Sequence, residues 1–469
     1  MIYNSFNFLL LYPLIFLLYY AIPAGQQKWR NIYLLVASYL LYISFKPVFA
    51  LVLLYVTAVS YTTALLISRS TKPAVPMRCG IVLTLLPLLF FKYFNFINSS
   101  IEDALAMVGF HIHLPGLNWA IPIGISFFTF QSMGYIWDVY HKKVEAEHDF
   151  LIYALFISFF PSLLMGPINK ASLIIPQLRS LRPYFDYGKA VEGLKMILWG
   201  MFMKVVVADR LAVFVNTILD SYSNYTGLSC LVAMLLYSIQ IYADFGGYSL
   251  MAIGVGKTLG FELTVNFRRP IFAFSVSDYW RRWHLSFCTW LREYVYFPLG
   301  GSRCSKLKNY RNILLTFLVS GIWHGANWTF ITWGVMHGIF ITTERIIDQQ
   351  KCRYGPLGRA IKTVIAFLMV TFTRVFFRMP TLGDAIGLLR RICDFSLPMT
   401  VYGTWNWWYM LIGLVMLFTK DFIEEFFPEK MKLLDSPRLT VRWTCYVTLM
   451  VMILAAGVFG SDQFIYANF

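Results

Sequence analysis

Apolar residues recur in long runs, near 6–22, 31–45, 48–68, 80–97, 119–137, 150–168, 191–215, 228–256, 312–343, 361–377, 404–419 and 443–460. A membrane helix takes about 20 predominantly apolar residues, so the pattern predicts an all-α integral membrane protein of about eleven spans. Three runs are imperfect: 31–45 is short, 312–343 is too long for one straight span, and 228–256 is interrupted by Gln240, Asp244 and several glycines. No Lys or Arg precedes Lys28, so the first run lacks the positive flank of a cleavable signal and is expected to remain as a first span. No internal repeat or polar linker divides the chain, which predicts one polytopic domain over 1–469, with N-terminal spans over 1–118, a core over 119–343 and C-terminal spans over 344–469.

Basic residues orient the spans, because short cytoplasmic loops retain Lys and Arg. Lys28 and Arg30 mark the first loop, Arg69, Lys72 and Arg78 the third, and Lys142 and Lys143 the fifth; the fourth has Glu102, Asp103, His111 and His113 instead. The N-terminus is therefore expected outside. Beyond residue 168 the alternation fades, with Lys170, Arg179 and Lys189 in one basic stretch. Such a stretch predicts re-entrant or interfacial segments, which membranes accept only where the backbone is buried in protein or lines a cavity.

Composition sharpens the class. The chain is 58% hydrophobic and 14% charged, against about 45–50% and 25% in soluble domains. Its net charge of +16 lies between apolar runs, which argues against nucleic acid as a partner and for membrane lipids. The 268–311 segment alone carries nine Lys and Arg against Asp278 and Glu293. Seven scattered cysteines without a C-x-x-C predict neither a disulfide framework nor a metal site.

Candidate chemistry sits where polarity interrupts the runs. Ionisable groups inside a span are costly enough to be functional candidates. His324 lies in the middle of 312–343; on a continuous helix it would sit about 18 Å from the nearer end, with Asn327 and Trp328 on its face. Gly321, Gly325, Gly334 and Gly338 clear space around it, and His337 lies nearer the end. In 275–301 aromatic residues alternate with Arg281, Arg282 and Arg292 around His284, the composition of an interfacial helix. Asp244, beside Gly246 and Gly247, calls for a basic partner or a polar cavity. Gly256-Lys257-Thr258 imitates the end of a P-loop, but Met251 stands where its first glycine belongs, so nucleotide triphosphate binding is rejected. A desolvated histidine can take a proton from an alcohol, which suggests acyl transfer; a proton-coupled transporter relaying through His324 and Asp244 is the alternative from another class.

At these residues the sequence resembles the membrane-bound O-acyltransferase family, in the branch typified by the membrane subunit of alginate O-acetyltransferase. The blocks that carry the likeness are NIYLLVASYLLY (31–42), PIGISFFTFQSMGYIWDVY (122–140), GPINKASLIIPQL (166–178), YADFGGYS (242–249), DYWRRWHLS (278–286), YFPLGGSR (296–303), GIWHGANW (321–328), WGVMHG (333–338), FFR (376–378) and FIYANF (464–469). The resemblance implies a central tunnel, an active-site histidine at His324 and a second at His284. It also implies a cytoplasmic acyl-CoA donor such as acetyl-CoA with no resident cofactor, an extracytoplasmic polysaccharide acceptor, and a partner of SGNH-hydrolase type in the bacterial inner membrane. D-alanyl or lipid acyl transfer by the same fold is the nearer alternative. Arg281 and Arg282 are the candidate holders of donor phosphates. The chain departs from the branch at Gly246 and Leu250, where Ser and Asp are usual, at Lys170 in place of arginine, and at Arg374, in a stretch that often contains tryptophan.

Overall fold

The computed structural model describes residues 3, 6–180, 185–347, 355–394, 407–428 and 433–459. The FIYANF block and Cys352 lie outside them. Every regular element among the described residues is helical. Contacts gather the chain into two compact units, one of Met1–Gly193 with Val255–Thr264 and one of Leu194–Gly254 with Val265–Phe469.

Five helical stretches among the described residues are long and apolar enough to cross a membrane: Pro47–Arg69, Ala74–Met107, Gly227–Thr258, Pro356–Arg378 and Leu439–Ala456. The other apolar runs form helices that are shorter, interrupted or, like Trp407–Phe426, more charged. The 150–168 run breaks at Phe159 into Phe150–Ser158 and Phe160–Leu163, and the 119–137 run becomes helical only at Ile125.

The first unit buries its polar groups against backbone carbonyls. Arg30, fully buried, donates through Nε and Nη2 to the Ile22 carbonyl (3.0 and 2.8 Å) and lies 5.1 Å from the Tyr19 ring centroid. Asn31 donates to Leu178 O and Tyr42 to Ile123 O, each at 2.8 Å. Buried polar groups need such partners; these tie successive helices together. Lys257 and Thr258 end the Gly227–Thr258 helix, and Thr258 Oγ1 bonds the Val255 carbonyl. A phosphate loop would need the opposite end of a helix.

The second unit is organised around a helical hairpin, Lys306–His324 and Trp328–Ile347. The 312–343 run is therefore two helices, and His324 is the last residue of the first. Gly325 continues in extended backbone, and the Phe330 ring occupies the space a side chain there would need. Asn327 then caps the second helix, its Oδ1 accepting from Thr329 N at 3.1 Å. Deeper in the hairpin Gly321 faces Gly334, where a Cβ on either would overlap backbone carbonyls of the partner helix. Small residues at this crossing let the two backbones approach.

Candidate active site

Three buried histidines belong to this unit: His284 and His337 are fully buried and His324 is 3% exposed. The expectation that Asn327 and Trp328 share a helical face with His324 does not hold, because the helix ends between them. Asn327 donates to the Pro380 carbonyl (2.6 Å) besides capping, and Trp328 is 53% exposed. Aromatic rings surround His324 instead. Trp323 and Trp333 each lie 4.8 Å away by ring centroid, at 70° and 85°, with Phe377 at 5.3 Å and Phe287 at 5.7 Å.

His284 reaches the same rings from a different element. The expected interfacial helix is broken into Val276–Trp280, Leu285–Leu291 and a turn over Arg292–Tyr296. His284 occupies the junction in left-handed backbone, φ 44° and ψ 54°. That conformation costs a non-glycine residue about 1 kcal/mol or more and persists only where its surroundings hold it. Here fully buried Asn266 holds it, accepting from Leu285 N at its carbonyl (2.9 Å) and from Ser286 N at Oδ1 (3.2 Å). The imidazole stacks on Phe287 at 5.0 Å and meets Trp323 at 5.9 Å. Phe287 and Trp323 are themselves stacked at 4.1 Å. Two histidines 40 residues apart in sequence thus share two rings. Burial pushes the His284 imidazole down to about 3, so it is neutral at physiological pH.

His337 continues the row through Trp333, 4.8 Å away, and both its ring nitrogens are engaged. Indole N–H can only donate, so Trp280 Nε1 donates to Nδ1 (3.2 Å) and the proton of His337 sits on Nε2. Nε2 faces Thr373 Oγ1 at 2.9 Å, and that hydroxyl donates to the Val370 carbonyl at 2.8 Å. His337 is built to hold Trp280 and Trp333 rather than to exchange protons.

Asp244 finds its basic partner in Lys204, whose Nζ lies 2.6 Å from Asp244 Oδ1 and 2.7 Å from Asp209 Oδ1. All three side chains are buried. Lys204 sits in a turn of π-helix over Phe202–Ala208, and a carbonyl of Gly200 packs on Gly247 where a Cβ would collide. Sequence reading passed over Lys204, although a lysine inside GMFMKVVVAD was itself a signal.

Beyond Phe377 lies a cleft of about 450 Å³ lined by Asp220, Tyr222, Asn327, Phe330, Phe377 and Asp384, among others. Phe330 and Phe377 meet edge to face at 5.0 Å, so one aromatic layer separates this polar cleft from His324. Among the described residues no group of His, Cys, Asp and Glu is arranged to hold a metal ion.

Residues 141–379, which contain all three histidines, match the family model of membrane-bound O-acyltransferases. The chain is 36% identical over 411 residues to the probable alginate O-acetylase of Pseudomonas aeruginosa, covering 87% of this chain and 76% of that protein. It belongs to the membrane-bound O-acyltransferase family. It is also 32% identical to the peptidoglycan O-acetyltransferase of Helicobacter pylori, over 81% of this chain and 77% of that one. With the teichoic acid D-alanyltransferase of Bacillus subtilis it shares 25% over 64% of this chain and 75% of that protein.

In this membrane-bound O-acyltransferase the two arginines before His284 have different surroundings. Arg281 is exposed. Arg282 donates from Nε to Asp278 (2.9 Å) and from Nη1 to Glu425 (2.8 Å), and Arg269 bonds the other Glu425 oxygen at 2.9 Å. Arg282 is therefore committed to carboxylates, which leaves Arg281 as the cation of the pair open to a phosphate. Burial alone would raise Glu425, but the hydrogen bonds and charges of Arg269 and Arg282 overcome it and hold the carboxyl below its ordinary range. A depressed folded value stabilises the native state above the unfolded pKa, about 4.3 for Glu, and the contribution is lost as pH falls through the folded value. Glu425→Gln is expected to lower Tm at neutral pH and to flatten the acid dependence below about pH 4.3, read by thermal unfolding across pH. A parent-like profile would mean that the cluster adds nothing.

Proposed function

We propose that this acyltransferase moves an acetyl group from cytoplasmic acetyl-CoA towards an extracytoplasmic polysaccharide, of alginate, peptidoglycan or exopolysaccharide type, with His324 as general base. The observation that carries the reading is the pairing of His324 with His284 across Phe287 and Trp323, in a water-poor aromatic enclosure. An acceptor hydroxyl gives its proton to His324 as its oxygen attacks the thioester carbonyl. The C–O bond forms, the C–S bond breaks, and the proton passes to the departing thiolate. His324 ends a 19-residue helix, and the negative end of the helix dipole favours the imidazolium formed in that step. Neutral His284 keeps one N–H to donate to the developing oxyanion.

The polar cleft behind Phe377 suits an acceptor hydroxyl, since the carboxylates of Asp384 and of Asp220, the latter paired with Arg378, can accept from sugar hydroxyls. The basic 268–311 segment suits the donor side, and the reading takes the chain to sit in the bacterial inner membrane with its N-terminus outside. Release on the far side calls for an extracytoplasmic partner, of SGNH-hydrolase type, that carries the acyl group to the polymer. The likeness to a D-alanyltransferase makes a D-alanyl donor the competing reading. Asp244, which a proton-relay transporter would use, is instead neutralised by Lys204.

Turnover of radiolabelled acetyl-CoA by the purified protein tests the donor. Arg281→Glu is expected to raise the donor KM about tenfold, the value of one charge-assisted hydrogen bond, with kcat little changed. Turnover of a D-alanyl carrier in place of acetyl-CoA, or an unchanged KM in the variant, would remove acetyl-CoA or Arg281 respectively from the reading.

A further inference from the structure

The Ala74–Met107 stretch is longer than a membrane needs. Its 34 residues extend about 50 Å at a rise of about 1.5 Å each, against a hydrocarbon core of about 30 Å that about 20 residues cross. Pro87 and a π-helical turn over Leu89–Tyr93 interrupt it near the end of that allowance, and both are features at which a helix changes direction. The remaining turns, Phe94–Met107, are amphipathic. Asn95, Asn98 and Glu102, spaced i, i+3 and i+7, share one face. Ile97, Ile101 and Val108 form the opposite face, apolar and exposed.

The polar face holds the chain as it returns. Beyond Met107 a left-handed Gly109 (φ 89°) turns the backbone, with Phe110 N donating to Leu105 O at 2.9 Å. Residues 110–121 then run back along the helix without regular structure. Leu114 N donates to the Glu102 carboxylate and Asn98 Nδ2 to Pro115 O at 3.0 Å. Asn95 Nδ2 donates to Leu117 O at 2.8 Å, and its Oδ1 accepts from Leu117 N at 2.7 Å. Trp119 completes the series against Phe90 and Phe91, at 5.8 and 6.0 Å between ring centroids. Helix side chains thereby give this backbone partners that water would otherwise supply. Its apolar side chains stay uncovered: Met107, Val108, Phe110, Ile112 and Trp119 are 50–87% exposed.

We propose that this hairpin, residues 94–121, lies in the membrane interface on the side opposite Lys72 and Arg78, with Phe110, Ile112 and Trp119 among lipid acyl chains. The exposed row continues the lipid-facing surface of the span, because Trp119 packs on Phe90, itself exposed and part of the membrane-crossing stretch. In water the same row would be an uncovered apolar patch; the leaflet adjoining Phe90 covers it. Leaving water demands that backbone polar groups be satisfied, and Asn95, Asn98 and Glu102 meet that need at Leu117, Pro115 and Leu114. An amphipathic helix with a tryptophan at its apolar edge is the composition that settles at headgroup depth. Apolar contact holds it there without attraction to anionic headgroups, since no Lys or Arg occurs between Lys92 and Lys142.

The proposal does not rest on the acyl-transfer reading, and its test reads depth. Nitroxides are placed singly at Phe110→Cys, Ile112→Cys and Trp119→Cys in the full chain, its native cysteines replaced by alanine, in nanodiscs of phosphatidylcholine alone. Leu83→Cys, exposed on the same span, is the lipid reference, and Lys28→Cys, exposed in a basic loop, the aqueous one. At all three positions collisions with oxygen are expected to exceed those with a water-soluble nickel chelate, as at Leu83. N95A/N98A, which frees the carbonyls of Pro115 and Leu117, is expected to raise nickel access at Ile112 towards the Lys28 level; an unchanged ratio would overturn the part given to the two asparagines. Nickel access at Phe110 and Ile112 matching Lys28 in the parent would put the hairpin in water and overturn the proposal, leaving the apolar row to a protein partner. With the native cysteines intact, lipids brominated on their chains are expected to quench more tryptophan fluorescence in the parent than in Trp119→Phe. Equal quenching would overturn the placement of Trp119.

Discussion

Substituting His324 by alanine is expected to lower the rate of acyl transfer by about 10²–10⁴-fold, the usual contribution of a positioned general base, with the donor KM near that of the parent. The variant keeps the helix end, and the rings around the position still pack on one another: Phe377 meets Trp333 at 5.4 Å and Phe330 at 5.0 Å. A folding defect is thus separable from lost chemistry by comparing melting curves. A purely structural histidine would give the reverse result, a lowered Tm with transfer retained in whatever protein remains folded. His284→Ala offers a contrast. His284 holds a left-handed junction as well as facing the enclosure, so both its Tm and its rate should fall.

Replacing Lys204 by methionine is expected to destabilise the protein by about 3–5 kcal/mol, because it leaves two buried carboxylates without their cation. Asp209 and Asp244 both lie within 2.7 Å of Nζ, and all three side chains are at most 2% exposed. Removing the charges together, as in the K204M/D209N/D244N triple variant, should recover much of the loss, since neutral groups of similar shape carry no comparable desolvation cost. Unfolding in mild detergent measures both. A single variant as stable as the parent would mean that the triad is solvated in the native state.

The contrast between these two sites shows what could be read from residue order. His324 was legible because a histidine within a long apolar run is expensive wherever the chain folds. The helix end at His324 was also legible in retrospect: Gly325 followed by Asn327 reads as a stop and a start, yet the apolar residues on both sides masked it. The three-way pairing of Lys204 was half visible, since Asp244 demanded a cation, but nothing in residue order joined position 244 to position 204. The two arginines of DYWRRWHLS looked equivalent in sequence. Only the approach of Glu425 separates them, leaving Arg281 exposed and Arg282 enclosed by carboxylates.

Residue order by itself determined the all-helical membrane character, the acyltransferase family and the histidines worth testing, because each rests on local quantities: apolar run length, motif spacing and the cost of a buried ionisable group. Tertiary structure alone decided which groups share an environment. Phe287 and Trp323 bring His284 to His324, Asn266 holds the left-handed turn at His284, and Arg374 donates across to the Tyr279 hydroxyl and the Ser238 carbonyl. Pairing energies depend on distance and burial, and these are set when elements distant in sequence pack together.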